Sequence, residues 1–363
     1  MTPPGRFRQV RKVGAITTDW SASVWDGSGL PAMGGAGHAR IGQVARLSKH
    51  RWVVGRLIEH QPALGVTTWD GSTHFDCDVV VLQRHMDLSA LRKVQRARER
   101  GAVVINDVDD WFWGLHPENA AYVLTDPKVN LSSNIDIYKA VLSLSTVIVV
   151  STNFLAEQFL QWWPSGPEIV VIANGVDLRS FYERRHHHGA VTVGWAGSTA
   201  HRSGDLQILR SVFAQLSEVK FFHLGANPHY PQFHDVVGLP ERAVATCPML
   251  APHEYPAGFR FDIGVVPLVD IPFNRAKSNI KGLEYAASGI PFVASPLPEY
   301  VKLAEEHGIG RLASTAKDWQ REIRALCDHD TRVAEARRQR EAVAALGAKA
   351  QAREWDELVW RLR

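Results

Sequence analysis

Short, nearly continuous runs of aliphatic and β-branched residues recur along this chain with helical patterns between them. That alternation constrains the fold more than any other feature. In the first half the runs are VVVL (79–82), AVVI (102–105), VIVV (147–150) and IVVI (169–172). In the second half VTVGWAG (191–197), VKFFHLG (219–225), FDIGVVPL (261–268) and IPFVAS (290–295) restart the pattern. A strand covered by helices on both sides is apolar on both faces, so these runs predict parallel sheets in α/β layers. Between the first two runs, Leu88, Leu91 and Val94 mark one face of a helix that Gly101 is placed to end.

The length, 363 residues, suits two domains at about 150 residues each. The Gly-, Arg- and His-rich stretch IANGVDLRSFYERRHHHGA reads as the connector between them. The expected division is residues 1–175, residues 176–345, and a C-terminal helix over 346–363 that returns to the first domain. In that helix Trp355, Leu358, Val359 and Leu362 follow i, i+3, i+4, i+7, an apolar stripe that must dock. His186, His187 and His188 look like a metal tract, but their place in the connector favours a solvated linker. A cleft between two such domains is the default place for a ligand.

Charge excludes some function classes. Lys plus Arg number 41 against 38 Asp plus Glu, a surplus of +3 that does not by itself imply a nucleic-acid partner. The helix carrying Arg92, Lys93, Arg96, Arg98 and Arg100 reads first as a solvated face and second as a contact for an anionic acceptor. The three cysteines, Cys77, Cys247 and Cys327, are far apart, with neither a pairing pattern nor metal-ligand spacing. With no apolar run near ~18 residues and no apolar segment after the basic N-terminus, the expectation is a cytoplasmic protein without a membrane span. Twelve Trp and 28 Gly stand out, and composition alone does not say why.

The most informative stretch is FNRAKSNIKGLEYAASGIPFVASPLPEY, residues 273–300. A polar loop leads into a helix with Ile280, Leu283 and Ala287 on one face, ended by Gly289 before Pro291. Free amides and partial positive charge at that helix start, with Lys277 and Ser278 beside it, suit a phosphate. Glu284 is placed where a carboxylate can accept two ribose hydroxyls. The alternative is a surface loop with an ion-paired glutamate.

The segment KSNIKGLEYAASGIPFVAS resembles the donor-binding helix of GT-B-fold glycosyltransferases, the large retaining group with a Lys-rich loop, a Glu-Tyr pair and a Gly-Ile-Pro stop. VGWAGSTAHRSGDL (193–206) resembles the first strand-loop-helix of that family's C-terminal domain, and VIANGVDLRSF (171–181) its interdomain connector. VVVLQRH (79–85) and VVINDVDDWFWGLHPENAAY (103–122) resemble segments of a subgroup met in O-antigen and phage-associated clusters. The resemblance implies two Rossmann-like domains facing a cleft, and transfer of a sugar from a nucleotide-sugar, with retention. In it Glu284 holds the ribose, while Lys277, Ser278 and Asn279 hold the diphosphate. Gly197, Ser198 and Thr199 form the loop near the donor phosphates, followed by His201 or Arg202 as the basic residue. The nucleotide-sugar is a co-substrate, and neither a further cofactor nor a metal is implied. The acceptor is open among a glycan, a lipid-linked sugar, a protein and a modified DNA base. One departure stands out: many members carry an acidic residue eight positions before the ribose glutamate, and position 276 here is Ala.

Asp107, Asp109 and Asp110 follow the strand AVVI, where loops of α/β sheets gather their active-site residues. Either Asp109, Asp110 or His116 orients or deprotonates an acceptor hydroxyl, or Asp107 and Asp109 form the metal-binding Asp-x-Asp of a GT-A transferase. Helix capping by an Asp-rich turn is the plain alternative. Gly34, Gly35 and Gly37 open a helix start that resembles the family's N-domain glycine loop, which puts Gly34, Gly35 and His38 on the sugar and acceptor side. Trp111 is placed to stack on a sugar ring. A non-catalytic nucleotide-sugar-binding protein on the same fold is the alternative function, and Ala276 is its best argument. A periplasmic-type binding protein also has paired α/β units, but the phosphate-suited lysine loop speaks against it.

Overall fold

A computed structural model of the chain describes residues 9–25, 31–201 and 204–362. The apolar runs build two separate sheets. The first has eight strands in the spatial order Glu168–Val171, Val147–Val150, Val103–Val108, Val79–Gln83, Lys12–Thr17, Arg51–Leu57, Val66–Thr67 and Thr73–His74. The strands from Glu168–Val171 to Arg51–Leu57 pair in parallel, and the last two close that edge antiparallel. Every residue of Val79–Gln83, Val103–Val108 and Val147–Val150 is buried, as apolarity on both faces requires.

The second sheet is parallel throughout, in the order Val244–Pro248, Lys220–Ala226, Thr192–Ala196, Ile263–Val266, Phe292–Ala294 and Arg311–Leu312. Along the chain this is the 3-2-1-4-5-6 Rossmann order, whose topological switch lies between Thr192–Ala196 and Ile263–Val266. In the first sheet the equivalent switch separates Lys12–Thr17 from Val79–Gln83. The two α/β units expected from the apolar runs, and the two Rossmann-like domains that the resemblance implied, are therefore the ones observed. Strands with diluted patterns escaped the sequence reading. RWVVGRL carries two arginines and a glycine and is partly exposed, and VATCP lies at a sheet edge.

The connector is largely exposed, as expected of a solvated linker, His187 and His188 included, but it is tethered to the second domain. His186 Nε2 lies 2.8 Å from the Gly289 carbonyl, Arg332 donates to the His187 carbonyl, and the His188 ring stacks on His329 at 3.7 Å. His186 and His188 thus rest their rings on groups of the second domain, while His187 is held through its backbone carbonyl. The chain then crosses back beside itself, with Val176 bridging Gly347. A Cβ at Gly175 would lie 2.7 Å from the Gly347 carbonyl carbon, so glycine is needed where the two crossings touch.

Beyond the second crossing, helix Ala348–Arg361 returns to the first domain. Trp355, Leu358, Val359 and Leu362 share one core with Val13, Val79, Val103 and Val147. Trp355 is fully buried and packs edge-on to Trp52 at 5.7 Å. Truncating a buried Trp loses its transfer energy and leaves a cavity, so Trp355→Ala is expected to destabilise the protein by about 3 kcal/mol. Urea unfolding followed by fluorescence measures the change, and an unaltered midpoint would contradict this docking.

Candidate functional site

At the switch point of the second sheet, strand Thr192–Ala196 ends in Gly197, whose φ of +150° favours glycine. The Gly197 amide donates to the Leu224 carbonyl at 2.8 Å, and its own carbonyl lies 2.9 Å from His223 Nε2, so the loop is pinned to the neighbouring strand. Ser198 Oγ accepts from the Ala200 amide at 3.2 Å, and Thr199 is buried. The described segment ends at His201, and Arg202 lies outside the described residues.

Helix Ile280–Ala287 faces this loop. Tyr285, wholly buried among Phe259, Phe261 and Phe292, accepts the Ala196 amide at 3.0 Å and ties the helix to the strand end. The tyrosine of the Glu-Tyr pair is therefore an anchor. Lys281 donates to the Ala196 carbonyl and lies over the Trp195 ring. Asn279 spends its side-chain amide on the Glu299 carbonyl and makes no side-chain cap to the helix start. Glu284, one turn further on, accepts from the Tyr255 hydroxyl at 3.4 Å. Burial pushes the Glu284 carboxyl up to about 7, against the opposing pull of Lys281 and Tyr255.

Residues 272–278 join the two domains. Thr152 Oγ1 donates to the Ala276 carbonyl at 3.1 Å, and Asn174 Nδ2 donates to Ser278 Oγ at 2.7 Å. Lys277 Nζ lies 3.3 Å from Asp110 Oδ1 in the first domain and 4.2 Å from the centre of the Phe273 ring. Ala276 is fully buried in a cluster with Trp111, Tyr138 and Leu142.

The three aspartates have separate partners. Asp107 is fully buried and takes a forked contact from the equally buried Arg40, with Nη2 at 2.6 Å and Nε at 3.1 and 3.2 Å. Gln83 adds a donor at 3.2 Å. Arg84, a non-glycine residue at φ +59° beyond strand Val79–Gln83, grips Asp109 at 2.6 and 2.9 Å and Asp110 at 3.0 Å. Burial, with Asp110 alongside, holds the Asp109 carboxyl above the usual carboxylate range despite Arg84. Asp107 and Asp109 are thus claimed by two different arginines. As an Asp-x-Asp metal pair they are poorly disposed, because the lone pairs a cation needs already face guanidinium donors.

In the glycine loop, the Gly34 amide donates to the Asp19 carbonyl at 2.8 Å and the Gly37 amide to Asp19 Oδ2 at 2.6 Å. A Cβ on Gly34 would fall 2.1 Å from that carboxylate, whereas one on Gly35 meets nothing within 4 Å among the described residues. Burial, then Arg46, pushes His38 down to about 4, so its ring is neutral at physiological pH. His116 is exposed, its Nδ1 accepting from the Glu118 amide at 3.2 Å. Trp111 does not offer a ring to a sugar here. It is 6% exposed and enclosed by Trp113, Phe159 and Trp162. With Trp163 these rings explain part of the Trp excess as packing. The basic helix Leu88–Glu99 is partly structural too, since Lys93 is buried and donates to Ile58 O and Ser89 Oγ.

Sequence reading thus named Lys277, Ser278, Glu284 and Gly197, which the fold brings to one interdomain region, and missed Lys281, Arg84, Arg40 and Tyr255. Lys281 had a usable signal. It lies four residues after Lys277 and three before Glu284, on the same helical side.

No family model and no curated protein matches the sequence. In shape the chain is similar to sucrose-phosphate synthase from Thermosynechococcus elongatus, with 17% identity, a TM-score of 0.66, and 96% of this chain and 98% of that one covered. It is also similar to Anabaena HepE solved in complex with UDP and glucose, with 14% identity, a TM-score of 0.67, and 98% and 100% covered. A glycosyltransferase from Rickettsia africae aligns with a TM-score of 0.65 at 10% identity, over 98% of each chain. At such identities the likeness establishes the fold, which is GT-B.

Two measurements check this geometry. Removing the Asp107 carboxylate leaves a buried, unpaired guanidinium, so Asp107→Ala is expected to destabilise the fold by about 3 kcal/mol or more. A variant that unfolds like the wild type would count against the buried pair. For Glu284 the folded carboxyl titrates near 7 and the unfolded one near 4.5. The folded state then binds more protons across that window, and stability falls as pH rises through it. Glu284→Gln removes this penalty, so its melting temperature relative to wild type is expected to be higher at pH 8 than at pH 5. Equal differences at both pH values would refute the raised carboxyl.

Proposed function

We propose that the protein is a retaining, metal-independent glycosyltransferase that moves a hexosyl or related group from a nucleotide-sugar to an acceptor hydroxyl. The observation that carries the reading is that Lys281, on the helix that bears Glu284, reaches the strand end before Gly197 at the switch point of the second sheet, with Lys277 and Ser278 in the loop that leads into that helix. In open α/β sheets that crevice is where nucleotides bind. HepE, of the same fold, was solved with UDP and glucose.

In this reading the Glu284 carboxylate accepts the ribose hydroxyls, and the two lysines with the first amides of helix Ile280–Ala287 hold the diphosphate. Negative charge grows on the departing diphosphate as the glycosidic bond breaks. Preorganised cations and a helix terminus lower that barrier without reorganising. The acceptor enters from the first domain, where Asp110 meets Lys277 of the second domain and Asp109 lies beside it on Arg84. The GT-A alternative loses its support, because the fold has two Rossmann domains and Asp107 is enclosed with Arg40.

A second reading, nucleotide-sugar binding without transfer, is favoured by Ala276, which is buried where a donor-sugar carboxylate would otherwise stand. A thermal-shift panel of UDP-, GDP-, dTDP- and ADP-sugars tests both readings. At least one donor is expected to raise the melting temperature, with affinity falling about tenfold or more in Glu284→Ala and Lys281→Ala. Turnover of the bound donor is expected to persist in EDTA. Binding indifferent to both substitutions would sink the donor site, and binding without turnover would select the second reading.

A further inference from the structure

The cation proposed for the diphosphate is already engaged. Lys277 Nζ lies 3.3 Å from Asp110 Oδ1 across the domain boundary, and Asp110 Oδ2 accepts from Arg84 Nη2 at 3.0 Å. The same guanidinium holds Asp109, and none of these four side chains is more than 23% exposed. Among these four side chains two positive and two negative charges balance, and Asp19 adds a further negative charge facing Arg84. A diphosphate therefore meets a carboxylate on its lysine before it meets an unopposed positive field.

We propose that Asp110 is an internal counter-anion which the donor diphosphate displaces from Lys277, so that the pair sets the affinity and the anion selectivity of the site. The proposal rests on the donor reading above. Three features of the structure suit exchange. Lysine is a point charge on a flexible stem, so it swaps one oxygen for another without a strict geometry, unlike the forked and fully buried Arg40–Asp107 pair. Asp110 keeps its Arg84 contact after Lys277 leaves, so no carboxylate is stranded without a cation. Thr152 to Ala276 and Asn174 to Ser278 still join the domains, so the exchange does not require them to part. While the site is empty, the pair holds Lys277 at the domain boundary. It also opposes weakly charged anions that cannot outcompete a carboxylate.

Calorimetric titration with uridine diphosphate, guanosine diphosphate and inorganic pyrophosphate tests this in wild type, Asp110→Asn, Asp110→Ser and Lys277→Met. Removing a partly buried competitor is expected to tighten diphosphate binding about fivefold in both Asp110 variants. The gain is expected to vanish when Asp110→Asn is combined with Lys277→Met. Unchanged or weaker binding in both Asp110 variants would overturn the exchange, as would a gain that survives in the double variant. If nucleotide binding needs Glu284 but ignores both Asp110 and Lys277, the exchange fails while the donor reading stands. If none of the three ligands binds wild type or either Asp110 variant at millimolar concentration, both fail together.

Discussion

The buried ion pair between Arg40 and Asp107 is the constraint around which the two domains are arranged. Arg40 follows the glycine loop, and Asp107 lies in the strand Val103–Val108. The remaining donors of the guanidinium reach the Ile172 carbonyl at 2.5 Å and Asn174 Oδ1 at 3.0 Å, where the chain leaves the first sheet. Asn174 in turn donates to Ser278 in the loop before helix Ile280–Ala287. One fully desolvated guanidinium thus joins the glycine loop, the first sheet, the connector and, one step on, the second domain's loop. Such a charge is tolerated only because its donors are so fully matched.

Around that fixed pair the interdomain region is built from interactions of graded rigidity. The Tyr285 anchor and the glycine crossing at residues 175 and 347 set backbone positions with little freedom. The aromatic cluster of Trp111, Trp113, Phe159 and Trp162 closes over Ala276 from the first domain. By contrast, Lys277 and Asp110 meet through one exchangeable contact. The partly buried charges at this boundary, Arg84, Asp110 and Lys277, act more strongly on one another than fully solvated ones would.

Much of the fold was legible because burial on both faces writes itself as local composition. Val79–Gln83, Val103–Val108 and Val147–Val150 could be read directly. The strand Arg51–Leu57, third from the end of its sheet, is partly exposed, and its arginines and glycine hide it. The tethers of the His186–His188 tract were invisible because its contacts, Gly289, Arg332 and His329, lie about a hundred residues or more away along the chain. Trp111 was misjudged for the same reason, since Phe159 and Trp162 surround it only in the folded state.

By itself the sequence determined the two α/β units, the docking stripe of the last helix, and the stretch from Lys277 to Glu284 as the place to look for an anion and a ribose. All of these follow from residue type and periodicity within a window of about 20 residues. Only the tertiary structure decided which charges face one another. It gave Asp107 to Arg40, shared Asp109 and Asp110 through Arg84, set Asp110 against Lys277, and raised Glu284 by burial. Pairing and desolvation depend on distance in space, and the partners here are separated by up to 167 residues of chain, beyond the reach of any local pattern.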